Sequence, residues 1–142
     1  MKVTMLLADA AQAMGGKLYV LGGGWSVMGP APTASALAVK VEVPWTEANR
    51  RHNLVIALLD ADGRPVTTDG RPVEIRGHLE VGRPPGLPAG TPLDAVLAVN
   101  VGPLPLTPGR YVWRLAINGE SRDEWHVGFL CRAADPPAAP AG

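Results

Sequence analysis

Between Leu106 and Asn118 the chain admits few structures. Tyr111, Trp113, Leu115 and Ile117 recur at every second residue and fall on one face of an extended strand, while Arg110, Val112, Arg114 and Ala116 fall on the other. Such a strand has one dry side, and that side carries its largest rings. Pro108-Gly109 just before it supplies a turn, so the strand is entered through a fixed corner. The dry side needs a facing layer, and the simplest one is a second sheet.

Period-two segments recur along the whole chain. Residues 3–10 read as a first strand, Gly15-Gly16-Lys17 as a tight turn, and residues 18–21 as the returning strand of a hairpin. Gly22-Gly23-Gly24 interrupts that strand before Trp25 and marks a bulge or a close backbone approach. A phosphate cradle would need a helix to follow, and none is expected. Leu37, Val39, Val41 and Val43 alternate with Ala38, Lys40 and Glu42, which predicts a third strand with one wet face. Residues 44–52 contain the one plausible helical turn, with Thr46 as its cap.

Residues 54–59 are apolar almost without a break, so this strand is expected at the centre of its sheet or covered on both faces. Asp60-Ala61-Asp62-Gly63 closes it with hairpin chemistry. Val73, Ile75, Gly77, Leu79 and Val81 alternate with charged residues, and residues 83–92, with four prolines and two glycines, form a surface loop. Ala95, Leu97, Val99 and Val101 mark the next strand, and Trp125, Val127, Phe129 and Cys131 the last. Residues 133–142, rich in Ala and Pro, are expected to be a disordered tail. The reading is an all-β, antiparallel β-sandwich of eight or nine strands in a single domain, residues 1–132, with a barrel as the alternative.

Length and charge narrow the function. A chain of 142 residues removes roughly 70% of its unfolded surface from water and needs no metal or disulfide to fold. No segment approaches the ~20 apolar residues of a membrane span. Thirteen basic against thirteen acidic residues leave a formal charge of zero, which removes the electrostatic footprint of a nucleic-acid binder. A single cysteine, Cys131, suits a reducing cytoplasm and reads as a core thiol. The first residues imitate a signal peptide, but Asp9 interrupts a short apolar run and a first strand is the simpler reading. Three lysines against ten arginines, with abundant Ala, Gly and Pro, match the usage of a GC-rich bacterial genome.

No catalytic or cofactor constellation emerges. Asp60 and Asp62 before Gly63 resemble the start of a calcium loop, yet the further oxygen ligands are missing and a hairpin turn accounts for them. His52, His78 and His126 are too scattered for zinc. There is no Gly-x-Ser-x-Gly elbow, and Glu120, Asp123 and Glu124 crowd a wet hairpin tip beside Arg122. The group that stands out is Trp45 with Asn49, Arg50, Arg51 and His52, a cationic turn next to an aromatic, where an acidic partner could dock. Its plainer role is a solvated connection with Trp45 plugging one end of the sandwich.

Pro108-Gly109-Arg110-Tyr111 resembles the tyrosine corner of immunoglobulin-like sandwiches, which implies that the Tyr111 hydroxyl bonds back to upstream backbone. Residues 1–10 and 16–25, Val43-Pro44-Trp45, Ala48-Asn49-Arg50, residues 58–65 and residues 108–113 together resemble a family of small uncharacterised proteins from GC-rich bacteria, described only as a domain of unknown function. That resemblance implies a compact cytoplasmic β-domain and assigns no site residues. The function expected from the residues is a non-catalytic protein-binding or assembly module, with an unknown protein or a second copy of itself, as in a homodimer, for partner. The alternatives are a small-ligand binder or enzyme with a pocket near Trp25 and Trp45, and a calcium-dependent binding module.

Overall fold

The computed structural model describes residues 1–135, so the expected tail lies outside the described residues from position 136 onward. Its strands are, in chain order, β1 (Lys2–Met14), β2 (Lys17–Gly23), β3 (Val27–Met28), β4 (Ser35–Val43), β5 (His52–Asp60), β6 (Thr67–Thr68), β7 (Arg71–Pro72), β8 (Glu74–Leu79), β9 (Leu93–Val101), β10 (Gly109–Ile117) and β11 (Glu120–Cys131). One sheet has the order β2-β1-β4-β9 and the other β3-β11-β10-β5-β8, while β6 and β7 pair by themselves. The two large sheets thus hold nine strands, within the number expected from the turn spacing. The expectation of a purely antiparallel sandwich is corrected at one edge: β3 runs parallel to β11, with Val27 opposite Leu130.

Alternation decides what lies between the sheets. Tyr111, Trp113, Leu115 and Ile117 of β10 join one core with Leu37, Val39, Val41 and Val43 of β4, Leu54, Ile56 and Leu58 of β5, and Trp125, Phe129 and Cys131 of β11. Trp113 is 2% exposed and several of its aliphatic neighbours are wholly enclosed. Each aliphatic side chain so buried contributes about 1.5–3 kcal/mol. β5 lies between β10 and β8, and its outward Val55, Ala57 and Leu59 are only half-buried. Its unbroken apolar run therefore reflects a central place in the sheet and not a second covering layer. The Tyr111 hydroxyl donates to the Thr107 carbonyl at 2.7 Å, and its ring stacks on Phe129 at 5.6 Å, so the corner before β10 is fixed as its sequence implied.

The wet face expected for β4 is only half wet. Lys40 and Glu42 meet solvent, but Ala36 and Ala38 on the same face are 0% and 3% exposed. The cover comes from the far half of the β1–β2 hairpin: Ala11 and Leu18 pack with Ala8, Ala36, Ala38 and Ala98 in a second, smaller core. β1 leaves its ladder with β4 after Ala8, and Ala11 is then held by Asn100 of β9, whose Nδ2 donates to the Ala11 carbonyl at 3.0 Å and whose Oδ1 accepts from the Ala11 N–H at 3.4 Å. Methyl side chains make this possible, since anything larger would hold the hairpin off the sheet. Gly22, at φ +60° and pressed against the Asp9 carboxylate, belongs to the same bend.

Candidate functional site

The cationic turn after β4 forms as a single 3-10 turn, Trp45–Glu47, with Pro44 at its start and no side-chain cap. Thr46 is not the cap; it lies inside the turn. Trp45 is half-buried at that end of the sandwich, with the Arg83 guanidinium 4.8 Å above its ring. Arg83 also donates from Nη2 and Nε to the Trp45 carbonyl, at 2.7 and 3.2 Å. Asn49 takes a left-handed φ of +58°, and its N–H donates to the Val81 carbonyl at 2.7 Å, which ties the turn to the segment just after β8. Arg50 and Arg51 are exposed. Neither has a carboxylate within ion-pair distance among the described residues, and Arg51 instead donates to the His78 ring at 3.1 Å.

His52 must be removed from that surface. It is 2% exposed, because it stands in phase with Leu54, Ile56 and Leu58 on the inner face of β5. The Glu47 carbonyl, 3.0 Å from Nε2, can only accept, so Nε2 carries the proton and Nδ1 accepts from Asn118 Nδ2 at 3.0 Å. Asn118 also accepts the Asn53 N–H at 2.9 Å, so the imidazole clamps the β10–β11 turn to β5. The two-residue period was enough to show this. Arg83 and His78, by contrast, join Trp45 and Arg51 from more than 25 residues away in sequence, and no local pattern announced them.

Trp25 and Trp45 do not share a pocket. Trp45 follows the Val43 end of β4, whereas Trp25 lines a crevice with Ser35 at the other end, beside Leu7, Met28, Leu104 and Trp113. That crevice has a volume of about 20 Å³, room for about one water, and the buried Trp25 Nε1 at its wall has no hydrogen-bond partner among the described residues. In the Asp60 turn the Oδ1 atom accepts from the N–H groups of Asp62 and Arg64 at 2.9 and 3.0 Å, so one of the two carboxylate oxygens is committed to closing the hairpin. No group of three or more His, Cys, Asp or Glu side chains lies close enough to share a metal ion among the described residues. No helix among them is long and apolar enough to cross a membrane.

A different surface carries the apolar excess. Leu6 (38% exposed), Met14 (55%), Tyr19 (53%), Val20 (39%) and Leu21 (63%) all belong to the β1–β2 hairpin, and only Val27 and Leu87 are comparably exposed elsewhere among the described residues. The ladder places Tyr19 opposite Gln12, Leu21 opposite Ala10 and Lys17 opposite Met14, so Met14, Tyr19 and Leu21 share the hairpin's outward face, whereas Val20, opposite Ala11, lies on the other. In the sequence this segment reads as an ordinary first hairpin. Its alternation is imperfect, and the exposure follows from the bend after Ala8, which turns one face onto alanines and the other to water. No match among curated proteins was found. The residues of the sandwich from 3 to 128, which include the hairpin, the Trp45 turn and the Tyr111 corner, match the model of the family of unknown function DUF6941, and the chain belongs to that family.

Proposed function

We propose that this protein is a non-catalytic protein-binding or assembly module, and that its contact surface is the outward face of the β1–β2 hairpin. One observation carries the reading: Met14, Tyr19 and Leu21, three of the seven large apolar side chains exposed among the described residues, share the outward face of this one hairpin. Scattered surface hydrophobics need no explanation, but a contiguous group of them on a built platform marks an interaction site. The platform is held by the Asn100–Ala11 bonds and the alanine layer beneath it. We place the module in a bacterial cytoplasm, where the one thiol, Cys131, stays reduced within the core, and we read its sandwich as immunoglobulin-like on the strength of the Tyr111 corner.

A photo-crosslinking amino acid at Tyr19, activated in producing cells, tests this. A discrete adduct from position 19 and none from Leu87, exposed to a similar degree on the proline-rich loop, is the expected result. No adduct from position 14, 19 or 21 removes the proposal. A second reading is favoured by Arg50 and Arg51 beside Trp45, which have no carboxylate partner among the described residues: this end, with Asn49, would hold an acidic segment. Arg51→Glu would then abolish capture of an acidic peptide that the native protein binds at low salt.

A further inference from the structure

We propose that the hairpin's partner is a second copy of this chain, joined edge to edge through β2 so that two four-stranded sheets become one of eight. This deepens the interaction-module reading and rests on it. β2 is the outermost strand of its sheet. The Ala11 N–H and carbonyl both point to Asn100, away from β2, and in an antiparallel ladder the residue opposite, Val20, must then aim its own N–H and carbonyl at the free edge. Leu18, two residues earlier, does the same. Neither residue has another backbone partner among the described residues, so the edge offers two donors and two acceptors in a row. An extended segment that supplies the same pattern in reverse is this segment itself.

The other edges are guarded and this one is not. β8 carries Glu74, Arg76 and His78, with Glu74 and Arg76 paired at 2.9 Å; β3 is two residues long; β9 carries Asp94, paired to Lys40 at 3.5 Å, and has its Asn100 side chain engaged with Ala11. From Leu18 to Gly23 there is no charge and no proline, the devices by which exposed edges are usually kept single. A charged partner would find nothing to read there, and the formal charge of zero on the whole chain puts no net repulsion between copies. Gly22, at φ +60°, ends the regular extended stretch, which leaves Lys17 to Leu21 as the pairing unit with Tyr19 at its middle. A two-fold axis through Tyr19 sets Leu18 against Val20 of the second copy, the reverse pair likewise, and makes all four hydrogen bonds. The two Tyr19 side chains then meet in the close, non-hydrogen-bonded position, and Lys17 lies against Leu21, its like charge at the far end.

Sedimentation velocity of the full chain, across micromolar to millimolar concentrations, is expected to show a species of twice the 14.8 kDa chain mass. Tyr19→Asp and Tyr19→Lys each put like charges face to face on the axis and are expected to abolish it, with circular dichroism and a cooperative urea transition showing that the fold is kept. Tyr19→Cys is expected to oxidise to a covalent dimer faster than Leu21→Cys, since only position 19 faces its own copy; Cys131 is buried and does not compete. A monomer at every concentration overturns the proposal, as does a dimer indifferent to Tyr19→Asp or one that crosslinks better through position 21. If the monomer still gives a Tyr19 photo-adduct with another protein, the module reading survives without self-pairing. If positions 14, 19 and 21 all give none, both fall.

Discussion

Tyr111 illustrates how far a single residue can be read. Its hydroxyl, held by the Thr107 carbonyl, is the kind of partly buried hydrogen bond whose net worth is about 1 kcal/mol. Tyr111→Phe keeps the stack on Phe129 and is expected to lower the unfolding free energy by about that amount in a urea titration. His52 is expected to matter more. With both ring nitrogens engaged in the interior, His52→Leu leaves the Glu47 carbonyl and the Asn118 amide without their partner and should cost about 1–3 kcal/mol, whereas Arg51→Ala at the neighbouring exposed position should stay within about 0.5 kcal/mol. The same urea titration separates them. Both buried positions were legible: Tyr111 through the turn before it, and His52 through its phase with Leu54 and Ile56, although its neighbours' charge drew it to the wrong surface. The Arg83 stack on Trp45 was not legible, because it depends on where a long loop returns.

At the scale of elements, β10 and the β1–β2 hairpin are opposites. β10 alternates cleanly, so its core face follows from its sequence, and Trp113→Ala is expected to cost about 3–5 kcal/mol, read from the same denaturation curves, if the chain folds at all. β4 shows the limit of that logic. Its Ala36 and Ala38 are as compatible with water as with burial, and the hairpin covers them only because β1 bends after Ala8. Ala38→Glu puts a charge into that alanine layer with no partner, and the expected result is that the hairpin lifts away. Amide exchange at residues 11–20 should then rise steeply while the amides of β5 and β10 stay protected, and unchanged exchange at Ala11 would show that the layer does not hold the hairpin.

For the whole molecule, one core joins both large sheets, so loss of either sheet exposes the other and tryptophan fluorescence and far-ultraviolet dichroism are expected to report one coincident transition. The pairings are far apart in sequence, as in Leu7 with Leu37 and Trp113 with Leu58, and refolding is accordingly expected in the range of about milliseconds to seconds; a microsecond phase carrying the full amplitude would contradict this topology. Alternation, turn residues and the absence of long amphipathic runs determined the fold class, the strand number and most of the core, because period two and φ preferences are properties of neighbouring residues. What only the tertiary structure decided is which surface stays apolar and open. A small side chain does not say whether something will be laid across it, and an edge strand does not say that it is an edge; both depend on contacts between segments that the chain brings together only after it has folded.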